Sequence, residues 1–193
     1  MNAKWRGFCM VSLIILGVVV SAIGTNKENV PKNKEYLSAS WVYNYSDLEE
    51  MTKDSDMIAL VREDKLLETY EEGGLPFSEY QMQVIEPILG VNQNEEITIL
   101  MTGGEVEDYI MEVEDDPLIR DGEEFLVFCK QNKDGTFRVV SGPQGRMVYE
   151  DGKLSSLNTE NSNARKTNVY MNIHINNVDA ETLIDEIKEY LNE

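Results

Sequence analysis

Between residues 121 and 153 the chain alternates short apolar runs with turn chemistry, and no other stretch restricts the fold as much. Phe125-Leu126-Val127-Phe128-Cys129, then Phe137-Arg138-Val139-Val140, then Met147-Val148-Tyr149 are the runs. Asp134-Gly135 separates the first two. Glycine tolerates positive φ and aspartate supports it, so this pair predicts a hairpin. Ser141-Gly142-Pro143-Gln144-Gly145 breaks the chain again before the third run. Side chains alternate across a strand, which puts Phe125, Val127 and Cys129 on one face and Leu126 and Phe128 on the other. A strand apolar on both faces belongs in the middle of a closed or covered sheet.

The remaining elements follow from period and punctuation. Met57-Ile58-Ala59-Leu60-Val61 is a second run apolar on both faces. The charged residues 63–72 either continue it outward or form a protruding hairpin arm, and Gly73-Gly74-Leu75-Pro76 turns the chain. Tyr80, Met82 and Val84 alternate with Gln81 and Gln83, with Pro87 expected to end regular pairing because it lacks an amide hydrogen. Residues 97–101 predict a strand before Gly103-Gly104. Tyr109, Met111 and Val113 share a face of the next strand, which Glu114-Asp115-Asp116-Pro117 closes. Residues 154–157 form a short strand and 158–166 a polar loop. Val169, Met171, Ile173 and Ile175 face inward from a further strand, and His174 faces outward.

Two helices flank these strands. Ser46-Asp47-Leu48-Glu49 reads as a capping box before a short helix with Leu48 and Met51 inward. Asp179 caps the last helix, Val178 and Leu183 are placed as a hydrophobic staple, and Leu183, Ile184, Ile187 and Leu191 form one apolar stripe. This helix should pack on the barrel as a lid. The expected fold is mainly β within the α+β class. It is a small antiparallel β-barrel with a short N-terminal helix and a C-terminal amphipathic helix.

Domain organisation reads as a targeting segment over residues 1–24, a polar linker over 25–39 and a single barrel domain over 40–193. Lys4 and Arg6 form a basic n-region ahead of an uncharged run from Gly7 to Gly24. Small residues at Val20-Ser21-Ala22 and Ala22-Ile23-Gly24 suit a signal peptidase. The run is also long enough to span a bilayer, so a retained anchor is the alternative to cleavage. Either way the domain is expected outside the cytoplasm, secreted or held on the outer face of the membrane. Membrane contact is expected only through residues 1–24, if they remain uncleaved.

Seventeen basic residues against 36 acidic ones give a net charge of −19. Nucleic acid is disfavoured as a partner, because phosphate binding needs clustered Lys and Arg. Anionic lipid is disfavoured on the same ground. The two cysteines are Cys9, in the N-terminal run, and Cys129, which reads as a small buried apolar residue, so no disulfide framework is expected. His174 is the only histidine, which excludes zinc sites built from several His and Cys. No nucleophile elbow, Walker loop or dinucleotide fingerprint is present. Glu112, Glu114, Asp115 and Asp116 crowd one strand end, but without the loop spacing of a calcium site. No metal and no cofactor is expected.

Trp41, Tyr43 and Tyr45 alternate ahead of the first helix. They read either as cover for one edge of the core or as an exposed aromatic strip that contacts a ligand.

The residues 46–50 and 54–60, Gly90 after Leu89, Gly103-Gly104, Gly122-Glu123-Glu124-Phe125-Leu126 and Gly142 with Gly145 together resemble small exported proteins of Gram-positive bacteria with no established function. The likeness covers roughly residues 46–154. It implies an exported β-barrel, with a turn at Gly103-Gly104, and no transferable activity. The strand order is also similar to the OB-like barrel of tissue inhibitors of metalloproteinases and netrin-like modules. Those inhibitors chelate the protease zinc through an N-terminal cysteine. No cysteine lies near either cleavage position, so that mechanism does not carry over.

The function expected is therefore that of a non-enzymatic, exported binding or envelope-associated module. An extracellular or envelope protein or peptide is the favoured partner, with Trp41, Tyr43 and Tyr45 as the candidate contacts. The alternatives are a cell-wall glycan hydrolase using paired carboxylates and a protease inhibitor of non-chelating type. N-terminal sequencing of secreted material is expected to begin after Ala22 or Gly24. Recovery of intact residues 1–24 in the membrane fraction would reverse the cleavage reading.

Overall fold

A computed structural model describes residues 33–107, 109–157, 173 and 175–193. The targeting segment, Cys9, residues 158–172 and His174 lie outside these described residues. The strands are β1 (Asn33–Leu37), β2 (Met57–Glu72), β3 (Leu75–Leu89), β4 (Glu96–Glu105), β5 (Tyr109–Val113), β6 (Glu124–Gln131), β7 (Phe137–Val139), β8 (Arg146–Glu150), β9 (Lys153–Ser156) and β10 (Val178–Asp179). The helices are α1 (Leu48–Asp54) and α2 (Ala180–Asn192). Among the described residues no helix is long and apolar enough to cross a membrane.

Five strands close a barrel. β2 pairs with β3, β3 with β4, β4 with β7, β7 with β6, and β6 returns to β2. Four of these pairings are antiparallel and β4·β7 is parallel, at Ile99↔Phe137. An odd ring cannot alternate direction all the way round, so one parallel seam is unavoidable. β1 also runs parallel to β5. The expected antiparallel sheet is thus a mixed one. β5 and β1 extend it beyond β4, and β8, β9 and β10 extend it beyond β6.

β6 has the two apolar faces its sequence requires. Phe125, Val127 and Cys129 enter the barrel core with Met57, Ala59, Val61, Met82, Val84 and Ile99. Leu126 and Phe128 face a second core with Leu48 and Met51 of α1 and Leu183 and Ile187 of α2. The C-terminal helix therefore covers the outer wall of the barrel, beside α1. Tyr80, Met82 and Val84 point inward as their alternation demands.

The charged continuation of β2 is the hairpin arm: β2 is 16 residues long and pairs with β3 to its Gly73-Gly74 tip. Pro87 does not end β3. It pairs with Ala59 beside a register shift, where β3 has lost β4 as a neighbour and the missing amide hydrogen removes no bond. Gly103-Gly104 is no turn either. Both lie inside β4, opposite Glu112 and Met111 of β5. A Cβ on Gly104 would sit 2.4 Å from Thr69 Cγ2 and 2.6 Å from Ser78 Oγ, so this glycine lets the arm cross β4 closely. β1 occupies part of the region read as linker. As a polar edge strand it shows no apolar period, and backbone pairing with β5 alone defines it.

The caps divide. Asp179 accepts from Thr182 N at 3.2 Å, as expected. At α1 the cap is Asp47 and not Ser46: Asp47 Oδ1 accepts from Glu50 N at 2.9 Å. Glu50 completes the box from one residue further on, accepting from Ser46 N at 2.8 Å.

Among the described residues one ion pair is buried. Arg146 Nη2 lies 2.7 Å from Asp116 Oδ1, with the side chains 1% and 8% exposed. The guanidinium also stands over the Phe125 ring, 4.9 Å from its centroid. Burial pushes the Asp116 carboxyl up, and the Arg146 charge opposes that shift. Removing one partner strands a charge in the interior. Arg146→Met is expected to cost about 3–5 kcal/mol, read from urea unfolding, and the double variant Arg146→Met/Asp116→Leu to recover most of it.

Candidate functional site

Residues 38–45 carry no regular structure, yet side chains pin this segment along the loop after β7. Gln144, 3% exposed, accepts from Tyr45 N at 3.0 Å and donates to Tyr45 O at 3.2 Å, standing in for a neighbouring strand. Ser141 Oγ donates to Tyr43 O. Trp41 Nε1 donates to Asp115 Oδ2 at 3.1 Å. The Trp41 ring lies over Gly142, whose φ is +49° and whose Cβ, if present, would fall 2.2 Å from Cζ2. Only glycine satisfies both demands there.

Two tyrosines then lean on α1. Tyr45 OH donates to Asp54 Oδ2 at 2.6 Å, and Tyr43 OH donates to Glu50 Oε1. The acceptors are four residues apart and share one face of the helix. The rings meet edge to face, with centroids 4.8 Å apart. Burial, then the Asp54 hydrogen bond, pushes the Tyr45 hydroxyl well up, so it stays a donor. The same bond holds Asp54 below the ordinary carboxylate range, with Lys130 adding to the effect. Glu50 is held down by Tyr43 and by Ser46.

Between this segment, α1 and β7 lies a groove of about 860 Å³. Val140 and Tyr45 form its buried floor. Lys53, Lys130 and Arg138 stand on its walls with Glu50 and Asp54. Lys130 reaches Asp54 at 3.0 Å and Asp56 at 3.6 Å. Lys53 pairs with Glu49 at 2.6 Å.

All three aromatic candidates line this groove, in different states. Tyr45 is buried and Trp41 is half-buried on Gly142, so both serve the fold. Tyr43 is half exposed, at 52%, and Val42, which its sequence context did not single out, is fully exposed. Lys130, Arg138 and Gln144 were also missed. The hairpin offers a signal for two of them: a turn around Asp134-Gly135 sets Lys130 opposite Arg138. The acids at the end of β5 and just after it diverge to separate partners: Glu112 to Lys34 at 2.7 Å, Asp115 to Trp41 and Asp116 to Arg146. Cys129 is buried in the barrel, and burial raises its thiol far above the reactive range.

Comparison with protein-family models, with curated proteins and with solved structures returns no match for this chain.

The Gly142–Trp41 contact is open to test. Gly142→Ala is expected to displace the indole and to destabilise the fold by about 1–3 kcal/mol, the usual scale for a side chain forced into positive φ. A red shift of tryptophan emission together with a lower unfolding midpoint would report it. Unchanged emission would contradict the packing described.

Proposed function

We propose that this chain is a non-enzymatic binding module, exported by its N-terminal segment, that takes an extended protein or peptide in the groove between α1 and β7. One observation carries the reading. Val42 and Tyr43 present apolar surface to solvent on a segment held rigid by Gln144, Ser141 and Asp115. An apolar surface held in place before its ligand arrives loses little entropy on binding. A core-covering segment would have no reason to turn its valine fully outward.

The closed five-stranded barrel, with its seam between the third and fifth ring strands, supports an OB-like assignment. It also supports the notion of a binding scaffold, although fold alone names no ligand. The carboxylates argue against glycan hydrolysis in this groove. That chemistry needs one carboxylic acid kept protonated near neutral pH. Glu50 and Asp54 are both shifted the other way, each by a tyrosine hydroxyl.

Panning a random 12-mer peptide library against the full chain tests the proposal. Enriched peptides should bind Val42→Asp and Tyr43→Ala about tenfold or more weakly, the scale of an interface anchor. Thermal unfolding of Val42→Asp should stay close to that of the parent, as expected of a fully exposed position, whereas Tyr43→Ala should lower the midpoint slightly through loss of its contacts with Glu50 and Tyr45. Enriched peptides that bind both variants as tightly as the parent would remove the groove from the function.

A further inference from the structure

The hairpin arm of β2 and β3 has a face that neither core uses. On its inner side Thr69 and Ser78 bond to each other at 3.0 Å and stand against Gly104 of β4. Side chains alternate along a strand and cross-strand partners share a face, so Glu68, Tyr70, Glu72, Phe77 and Glu79 project from the opposite side. Tyr70 and Phe77 stack there, with ring centroids 6.0 Å apart. Glu68 and Glu79 are direct cross-strand partners, and like charges so placed destabilise a sheet. Burial, then Glu79, Glu72 and Glu68, push the Tyr70 hydroxyl up, so all three carboxylates act on this one ring. The ion pairs among the described residues use other acids, and none uses Lys65. Residues 63–79 hold six acids and Lys65 as their one base, against 36 to 17 in the whole chain.

We infer that this face is a second docking surface, independent of the groove, and that it takes a lysine or arginine side chain of an extended basic peptide segment. A cation is drawn to an aromatic ring face, and carboxylates beside the ring supply its counter-charge. Two features fit a peptide better than a small cation. β6 accompanies β2 only as far as Arg62, so toward the tip the outer edge of the arm has no strand partner among the described residues. An extended segment can add to such an edge as a further strand, and pairing within the arm is regular from Glu68 to Glu72. Leu66 and Leu67 are 46% and 43% exposed on the same stretch. Charge alone would blunt an open edge, whereas leucines offer an added strand apolar contact. A second copy of this chain would bring the same acids to the face, which disfavours self-pairing. A metal ion does not fit, since among the described residues no group of three acidic, Cys or His side chains is placed to hold one.

The test uses two fluorescein-labelled 12-mer pools on the full chain, read by anisotropy. One carries Lys or Arg at alternate positions and the other Gln or Asn at the same positions. The basic pool should bind about tenfold tighter, the scale of one charge-assisted contact, and lose that advantage in about 0.5 M salt. A chain this acidic attracts any cation, so the deciding comparison is between variants that lose equal charge. Glu68→Gln/Glu79→Gln should weaken the basic pool about tenfold, with an unfolding midpoint equal to or above the parent's because repulsion is relieved. Glu181→Gln/Glu189→Gln, at exposed positions of α2, should change it by less than about twofold. Tyr70→Leu should weaken it about threefold, the scale of an exposed cation–ring contact. Pools that bind equally, or equal losses from the arm and helix variants, would overturn the inference. Unchanged binding by Tyr70→Leu at the parent's midpoint would overturn the role of the ring. Spermine that binds the arm as tightly as the basic pool, or arm-dependent self-association in sedimentation without peptide binding, would overturn the choice of partner.

Discussion

The structure depends on β6 being unable to face water on either side. A strand with Phe125, Val127 and Cys129 on one face and Leu126 and Phe128 on the other needs an apolar layer above and below it. The barrel supplies one layer and the two helices supply the other. This explains why α1 and α2, from opposite ends of the described chain, share one core. Each brings a short apolar stripe, Leu48 with Met51 and Leu183 with Ile187, and both stripes are buried in that core. The helices are therefore part of the fold's minimum, and α1 becomes a fixed wall against which the groove is built.

Parity of the ring has a similar reach. Five strands leave one seam parallel, and β7 pairs with β4 at Phe137 alone. Arg138 and Val139 follow at once, bonded to β6 and unclaimed by β4. The chain then turns through the loop that holds Gly142 and Gln144. The groove thus opens where the barrel has just closed, and the residues lining it on that side are those that closure left over. Burial of Phe137 and exposure of Arg138 are two consequences of one geometric requirement.

What was legible in the sequence was whatever repeats. Period two placed Tyr80, Met82 and Val84 inside and assigned the two faces of β6, while the charged run before Gly73-Gly74 offered the arm of β2 as one of two readings. Period 3.6 and Asp179 placed α2. What was illegible came from contacts between distant elements. Gly103-Gly104 looks like a turn because glycine pairs usually are; here the pair is needed because Thr69 and Ser78 pack where a Cβ would stand. Asp116 and Arg146, 30 residues apart, each look like ordinary surface charges. β1 has no pattern at all, being defined by its partner. For the groove, the aromatic triplet drew attention to one of the segments that line it. Its division of labour was invisible, because it depends on Gly142 lying under Trp41 and Asp54 lying beside Tyr45.

The adjacent acids Asp115 and Asp116 link the interior to the groove. Asp116 is held by Arg146, which is itself stacked on Phe125 in the barrel. Its neighbour Asp115 holds the Trp41 indole, and Trp41 begins the segment that presents Val42 and Tyr43. A buried ion pair is a poor way to gain stability, since the desolvation of both charges offsets most of their attraction. It does fix position: a guanidinium bonded to a carboxylate in the interior has few other arrangements open to it. Here the fixed object is the short loop from Asp115 to Pro117, whose carbonyl Arg146 also holds. A loop held this way is a firm anchor for Trp41. On this view the buried pair is retained because it makes the far end of the groove rigid, where an apolar substitute would leave Asp115 free to move with its loop.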